Sequence, residues 1–435
     1  MEPITYFSAT ALANGIRKHQ FSSREVVEAH LARIETINPK LNAVAQLVAD
    51  TAVQSAAEAD AALDLGEALG PLHGVPFTVK DWIETAGVIC AAGSTERKDF
   101  IPRRDATVVA RMRAAGAIML AKTIDGHDNP VYGHPNNPYD LERTPGGSSS
   151  GEAALIAAGG SPVGLGSDSG GSIRFPAHCC GIAGLKPTNG RVPITGHFPR
   201  INPLADPRTQ IGPMARQVED LALLLPIISG VDWRDSSVVP VPLGDWKEAR
   251  PAGLRIATYT EFPGASASPD TAATIGAAAN ALQSAGAEVE EAIPPRIEES
   301  LEITRAYWRR PESHSWNEWE TTGEHTLNPD DIERSIFQWD RFRRAFLGFM
   351  RRFDAILCPV ADSAAGHGAA SETDFIYTLP FSLTGYPCVV VRAGVSTEGL
   401  PIGVQVVAQP WRDDVALGVA HNIETALGGW QPPGL

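Results

Sequence analysis

The spacing of apolar residues in the first part of the chain, residues 1–70, predicts helices. Ser22 followed by Glu25 matches a capping box, in which each side chain bonds to the backbone N–H of the other residue at a helix start. Apolar side chains then recur at helical spacing from Val26 to Ile34. Residues 51–69 are rich in alanine and predict a second helix. Neither helix carries residues that suggest chemistry.

Strand and helix patterns alternate through the next part of the chain. Short apolar runs predict strands at 75–79, 118–121 and 163–165. Apolar residues at helical spacing predict helices over 107–115 and 152–158. Strands that alternate with helices are typical of an α/β fold with a largely parallel sheet.

The later part of the chain returns to strand patterns after a break. Residues 230–252 are rich in Pro, Asp and Val without a period, which predicts a linker or a surface loop. Strands are predicted at 355–359, 388–391 and 404–407, followed by a helix over 415–427. These strands have no domain of their own, so we expect them to complete the first sheet. This favours one domain over two.

Composition changes this picture mainly by exclusion. The chain has 435 residues, of which 43% are apolar and 20% charged, as is typical of globular proteins. The formal net charge of −15 argues against nucleic acid or an anionic membrane as a partner, because both attract basic surfaces. No apolar stretch is long enough to span a membrane. The few cysteines and the lack of a signal-peptide pattern lead us to expect reduced thiols and a cytoplasmic protein.

Two segments rich in glycine and serine stand out, Thr144–Glu152 and Gly166–Pro176. Glycine lets several backbone N–H groups converge on one point, and serine adds hydroxyls there. Tight turns are one interpretation. A phosphate-binding loop is a second, but neither segment contains the lysine that such a loop needs. Gly147–Gly151 also matches G-x-S-x-G with Ser149 at its centre, but the strand that a nucleophile elbow requires is missing before it.

Lys80 is a third feature, because it stands at the end of an apolar strand. A lysine in such a place is either paired or desolvated. Desolvation lowers the pKa of a lysine and makes it usable as a general base. A structural ion pair with the adjacent Asp81 is the alternative, and for Lys80 taken alone it is the interpretation that we favour.

Taken together, these features resemble the amidase signature family. Lys80 and the two glycine–serine runs follow one another in the order of the family motif. Ser148 and Ser172 are 24 positions apart (172 − 148), as the motif has it. The similarity lapses across the middle third of the chain. Outside the core it is carried by several shorter motifs: 181–188, 190–193, 211–214, 384–387 and 399–405.

The resemblance implies a fold and its organisation along the chain. We expect an amidase signature fold, which is an α/β architecture with a central mixed, largely parallel, twisted β-sheet covered by helices on both sides. One domain is expected over residues 1–435. Its parts are a helical N-terminal part, the signature core, a variable part that forms the substrate pocket, and a return to the core sheet: 1–70, 71–228, 230–350 and 351–435.

The resemblance also implies catalytic roles. Ser172 is the expected nucleophile and Lys80 the base. Ser148, which follows a cis peptide bond in the family, is expected to bridge them, as a Ser–Lys variant of triad logic without histidine. The expected oxyanion hole consists of four backbone N–H groups, those of Ser169, Gly170, Gly171 and Ser172.

Other residues near these segments are expected to support the site. Asp168 and Arg174 flank the oxyanion loop and are expected to pair, and Ser149 is expected to orient Lys80. The run His178–Cys180 invites a metal or thiol interpretation. Three adjacent residues cannot all face one ion on a regular backbone, so we expect a structural role and no metal. The family mechanism calls for no cofactor.

The substrate stays open at this stage. The resemblance implies hydrolysis of a carbon–nitrogen acyl bond in a small-molecule amide, with aryl amides, carbamates (urethanes) and, as a side activity, esters in range. The segment 301–350 contains Trp308, Trp316, Trp319 and Trp339. Within it, an apolar stripe from Ile336 to Phe349 predicts either a helix packed on the core or an aryl pocket. The stretch Thr123–Pro130 looks shorter than is usual in the family, which predicts a wider substrate entrance.

Two alternative functions also stay open. Subunits of tRNA-dependent amidotransferases share this signature and would need partner chains, whereas a free-standing amidase is expected to be a monomer or homodimer. The other alternative is a catalytically inactive module that binds an anion in its glycine loops. The intact set of Ser172, Ser148 and Lys80 argues against that module.

Overall fold

The computed structural model describes residues 3–67, 69–126, 128–199, 207–308 and 328–435, without the side chain of Trp308. The predictions for the aromatic segment and for the entrance stretch therefore fall partly outside the described residues. Trp316, Trp319 and His127 belong to the parts that are not described.

The described residues form one large sheet and a separate small hairpin of β8 and β9. The large sheet has eleven strands in the order β1-β3-β2-β4-β6-β5-β12-β13-β11-β7-β10. The strands are β1 Val44–Leu47, β2 Pro76–Lys80, β3 Ile118–Thr123, β4 Val163–Asp168, β5 Ala183–Lys186, β6 Gln210–Ala215, β7 Arg255–Thr258, β8 Glu261–Phe262, β9 Ala265–Ser266, β10 Glu288–Glu291, β11 Ala355–Pro359, β12 Cys388–Val395 and β13 Pro401–Ala408.

Parallel pairing occurs in two groups of strands. β2 lies parallel between β3 and β4, and β7 lies parallel between β11 and β10. The strands between these groups pair antiparallel, as does β1 with β3. The predicted α/β fold with a mixed sheet is confirmed. The late strands β11–β13 lie in the same sheet as the early ones.

Helices connect these strands, and the first long one starts as predicted. In the capping box of the helix Ser23–Leu41, Glu25 N donates to Ser22 Oγ at 3.0 Å and Ser22 N donates to Glu25 Oε2 at 2.7 Å. Among the described residues, no helix is long and apolar enough to cross a membrane. The helices are α1 Ala9–Arg17, α2 Ser23–Leu41, α3 Ala49–Asp64, α4 Thr107–Ala114, α5 Ser150–Ala157, α6 Arg174–Cys179, α7 Val218–Ile228, α8 Pro269–Ser284, α9 Ser300–Trp308, α10 Pro329–Met350, α11 Leu379–Thr384 and α12 Asp413–Leu427.

Helices cover both faces of the sheet. Successive residues of a strand point to opposite faces, so one strand contributes side chains to the packing on both. In β12, Val389 and Val391 pack into an apolar cluster that includes Val415 of α12. Val390, between them, belongs to a different cluster, which includes Ala177 of α6. The chain therefore needs an almost continuous apolar run in its central strands, which is the pattern that predicted them.

The apolar stripe of α10 packs on the core. Its aromatic members are all buried and share a cluster with residues of α11 and of the sheet. Trp339 also donates from Nε1 to the carbonyl of Leu383 at 2.7 Å. The interpretation as a helix packed on the core is confirmed for Trp339, Phe342, Phe346 and Phe349, whereas Ile336 is exposed.

Candidate active site

The predicted site residues meet at one edge of the sheet. Lys80 is the last residue of β2 and Asp168 the last of β4, and these strands lie parallel with Val79 opposite Leu165. The carboxyl ends of parallel strands lie at the same edge, where α/β folds build their sites. Ser148 comes shortly before α5, and the loop 169–173 leads from β4 into α6.

Lys80 and the two predicted serines form the centre of this site. Lys80 Nζ lies 2.6 Å from Ser148 Oγ. The peptide bond between Gly147 and Ser148 is cis, as the resemblance predicted. Ser149 N donates to the carbonyl of Ser172 at 3.1 Å, which joins the two glycine–serine segments. Ser148 and Ser172 are partly exposed although the residues on either side of each are buried, so a substrate can reach both.

The environment of Lys80 favours its neutral form more than water does. Lys80 is fully buried, and this burial lowers its pKa to about 8, against the opposing effect of nearby carboxylates. The alternative that Lys80 pairs with Asp81 is wrong. Asp81 points to the other side and pairs with Lys122, with 3.4 Å between Asp81 Oδ1 and Lys122 Nζ.

The loop from Ser169 to Ser172 presents backbone N–H groups. Its carbonyls are turned into the protein: Gly170 O accepts from Thr378 Oγ1 at 2.6 Å, and Gly171 O accepts from Phe175 N at 2.7 Å. In the described part of the chain, the N–H groups of residues 169–172 donate to no acceptor. Four donors without acceptors, next to a partly exposed serine, form an arrangement that can bind an oxyanion.

This loop depends on glycine at position 171. Gly171 has a φ of +148°, which residues with a side chain rarely adopt. A Cβ atom there would lie 2.4 Å from Thr378 Oγ1. The same hydroxyl donates to the carbonyl of Gly170. The absence of a side chain at position 171 therefore leaves room for Thr378 to make this contact with the loop.

Asp168 and Arg174 form the predicted ion pair, and both are fully buried. Arg174 Nε and Nη2 each lie 3.0 Å from one carboxylate oxygen of Asp168, which is a two-pronged geometry. Asp168 Oδ2 also accepts from Ile173 N at 3.1 Å. Burial alone would raise the pKa of Asp168, but the guanidinium and these bonds hold it below its ordinary value. The ion pair therefore joins the two residues that flank the loop 169–173.

A sequence profile of the Amidase family matches residues 25–322 and 309–417. The chain belongs to the amidase signature family. It is an amidase-family enzyme, which acts on carbon–nitrogen bonds.

Similar proteins differ in what they are named. The chain is 36% identical to a subunit of glutamyl-tRNA(Gln) amidotransferase from Methylococcus capsulatus, over 95% of this chain and 96% of that protein. It is 32% identical to an acylamidase from Rhodococcus erythropolis, over 98% and 96% of the two chains. The solved structure of a bacterial aryl acylamidase of the amidase signature family has a TM-score of 0.87, with 26% identity over 98% of this chain and 97% of that one.

The buried ion pair of this amidase is expected to matter for stability. Arg174→Met should lower the free energy of unfolding by about 3–5 kcal/mol, because it leaves Asp168 charged and unpaired in the interior. Arg344→Met is a matched control, because Arg344 pairs with Asp340 where the two side chains are 61% and 60% exposed. It should cost about 0.5 kcal/mol or less. Urea denaturation measures both losses, and equal losses would contradict this account.

Sequence reasoning missed two groups that contact Lys80. Ser167 Oγ lies 3.1 Å from Lys80 Nζ, and Nζ lies 4.2 Å from the centroid of the Trp82 ring. A serine inside a buried strand could have indicated the first contact. Residue 82 lies two positions beyond Lys80, so strand alternation could have indicated the second.

The predicted role of Ser149 needs a correction in detail. Its hydroxyl lies 3.4 Å from both the N–H and the carbonyl oxygen of Ser167, and the hydroxyl that Lys80 contacts besides that of Ser148 belongs to Ser167. Ser149 therefore reaches Lys80 through Ser167. Its burial also removes it as a rival nucleophile, which agrees with the missing strand before the G-x-S-x-G match.

The run His178–Cys180 is structural in this amidase. His178 Nδ1 accepts from Gly403 N at 3.0 Å, and its Nε2 lies 2.9 Å from the carbonyl oxygen of Ser363. The imidazole therefore bridges two separate backbone segments. All five cysteines are buried and unpaired, so the prediction of free thiols is confirmed.

Proposed function

We propose that this amidase is a serine hydrolase that cleaves a small-molecule amide through Ser172, Ser148 and Lys80. The observation that carries the proposal is the 2.6 Å contact of Lys80 Nζ with Ser148 Oγ at a fully buried lysine. A buried lysine with a pKa of about 8 loses its proton near neutral pH far more readily than a solvated one. It can therefore serve as the base that a serine nucleophile needs.

In the acylation step, a proton is transferred from Ser172 through Ser148 to Lys80. Ser172 Oγ attacks the carbonyl carbon of the substrate, and its proton passes to Ser148 Oγ. The proton that Ser148 held passes to neutral Lys80, which becomes an ammonium. The developing oxyanion is stabilised by the N–H groups of residues 169–172, and one such donor typically contributes about 10²–10³ in rate.

Proton transfer then proceeds in the opposite direction, from Lys80 through Ser148 to the leaving group. As the carbon–nitrogen bond breaks, the leaving amine takes a proton from Ser148, and Lys80 returns its proton to Ser148. The acyl group stays on Ser172 as an ester. Water then attacks this ester while its proton passes through Ser148 to Lys80. As the bond from the acyl carbon to Ser172 Oγ breaks, the proton returns through Ser148 to that oxygen, which releases the acid and restores the starting state.

An amidotransferase subunit is the second candidate, because the relative from Methylococcus capsulatus carries that name. The acylamidase relative and the aryl acylamidase structure support a free-standing hydrolase instead. The net charge of −15 gives no support for binding tRNA directly. We therefore favour an enzyme that works as a monomer or homodimer without other subunits. We also propose that it works in the cytoplasm and without a cofactor.

A substrate panel tests this proposal on the purified chain alone. One aryl acyl group is offered as a p-nitroanilide, a primary amide and a p-nitrophenyl ester, and a carbamate of p-nitroaniline with an aryloxycarbonyl group of similar size is added. We expect amide hydrolysis without any added protein, with ester hydrolysis as a side activity. Hydrolysis that appears only after amidotransferase partner subunits are added would instead support the second candidate. An inactive anion-binding module would hydrolyse none of them and would not react with a fluorophosphonate.

A further inference from the structure

The ammonium of Lys80 has three N–H groups but only two hydroxyl contacts among the described residues. Ser148 Oγ lies 2.6 Å and Ser167 Oγ 3.1 Å from Nζ. The remaining side is covered by the indole of Trp82, whose centroid lies 4.2 Å from Nζ. An aromatic face attracts a cation but not a neutral amine, so this contact favours the protonated lysine.

The indole is fixed from several sides. Its Nε1 donates to Asp125 Oδ2, and its ring meets the imidazole of His197 edge-on, with 5.8 Å between centroids. The backbone carbonyl of Trp82 accepts from Phe198 N at 2.8 Å. Asp125 is itself held by Asn129, whose Nδ2 lies 3.2 Å from Asp125 Oδ1. Trp82 therefore has little freedom to leave the lysine.

Asp125 is placed to act on Lys80 through space as well as through the indole. It lies two residues after β3, at the same sheet edge as the ends of β2 and β4. It is 5% exposed, so its charge acts through a poorly solvated medium. The charged or titratable groups that face Lys80 from the surrounding elements are Asp125 after β3, Asp168 at the end of β4, Glu152 of α5 and His197 in the loop before residue 199.

We propose that Trp82 and Asp125 form a positioning pair that holds Lys80 against Ser148 and stabilises the ammonium that forms when Lys80 takes up the proton in the acylation step. Neither residue contacts the reacting atoms in this proposal, and both act through Lys80. The proposal rests on the function assigned above to Lys80. It explains why a carboxylate is buried beside a base: burial favours loss of the proton from Lys80, and the pair opposes that loss.

The charge of Asp125 is expected to affect the pKa of Lys80 more than the charge of Asp128, the other carboxylate of this loop. Among the groups that oppose the lowering of the Lys80 pKa, Asp125 has the largest effect. Burial raises the pKa of Asp125 itself to about 6, so it is ionised where Lys80 titrates. Asp128, three residues further on, is exposed. Asp125→Asn and Asp128→Asn thus remove the same charge from the same loop, one beside Lys80 and one in solvent.

The test is the pH dependence of kcat/KM for the p-nitroanilide. Activity requires neutral Lys80, so wild-type kcat/KM should rise as pH increases through about 8. Asp125→Asn should shift this rise to lower pH by about one unit, because it removes a charge that favours the ammonium. Asp128→Asn should leave the rise where it is. Asparagine can still accept from Trp82 Nε1 through its one side-chain oxygen.

Trp82→Phe completes the test, because it keeps a ring but removes the N–H that Asp125 accepts. It should also shift the rise to lower pH. The double variant should shift it by less than the sum of the two single shifts, since the residues act as a pair. Rises at the wild-type pH in both single variants, or the same shift for Asp125→Asn and Asp128→Asn, would overturn the proposal. Full activity of a Lys80→Met variant would instead overturn the function on which it rests.

Discussion

Ser172→Ala should lower kcat/KM for the p-nitroanilide by about 10⁵-fold or more, because it removes the oxygen that carries the acyl group in the proposed mechanism. The fold should persist, since the contacts that hold the loop do not involve the Ser172 side chain. Gly170 O still accepts from Thr378 Oγ1, and Asp168 still closes the loop with Arg174. Residual hydrolysis above the uncatalysed rate would reflect the backbone N–H groups, which no side-chain replacement removes.

Ser169→Ala is the matched control for this loss. Ser169 stands in the same loop and is also partly exposed, but its hydroxyl contacts Thr209 Oγ1 at 2.5 Å. Its proposed contribution is the backbone N–H, which alanine keeps. We expect a loss of about tenfold or less. If Ser172→Ala lost no more activity than Ser169→Ala, the nucleophile assigned here would be wrong.

Lys80→Met should lower kcat/KM for the amide by about 10³–10⁴-fold, because the base and the source of the returned proton are both lost. The ester should suffer less, since an alkoxide or phenolate leaves without a proton more readily than an amine does. The ratio of amide to ester hydrolysis, measured on the same acyl group, therefore falls in this variant. An equal loss for both substrates would contradict the proton transfer from Lys80 to the leaving group.

Stability distinguishes this loss from unfolding. Burial lowers the pKa of Lys80 to about 8, so the protonated lysine opposes folding at pH values below that. Methionine is similar in length and carries no charge. The thermal unfolding temperature of Lys80→Met at pH 7 should therefore be no lower than that of the wild type, even though its activity collapses.

The strands that the sequence predicted are those with uniform apolar character. β2, β3 and β4 are buried at every position, and their apolar runs were recognisable. β6 was missed because it contains Gly212 and Pro213, which argue against a strand although Pro213 pairs with Leu165 in the interior of the sheet. β10 was missed because Glu288–Glu291 is polar and lies at the sheet edge, where no apolar pattern is needed.

The residues of the candidate site likewise divide into those that the sequence predicted and those that it did not. Lys80, Ser148 and Ser172 could be found because a motif fixes their order and spacing along the chain. The contact between Trp82 and Asp125 could not, since it joins the end of β2 to the loop after β3 and depends on how these strands pair. The partners of Arg174 on α11 and β13, Ser382 and Gln405, lie more than 200 residues away in sequence, and only the assembled fold brings them to the loop.

The most direct test of the central claim is to find the residue that carries the covalent bond. The active enzyme is treated with a fluorophosphonate, digested, and its peptides are sequenced by mass spectrometry, with Ser172→Ala treated in parallel. We predict one adduct, on Ser172, which is absent from the variant and forms in proportion to the loss of activity. An adduct on another residue, such as Ser148 or Ser149, or complete inactivation without an adduct on Ser172, would contradict it.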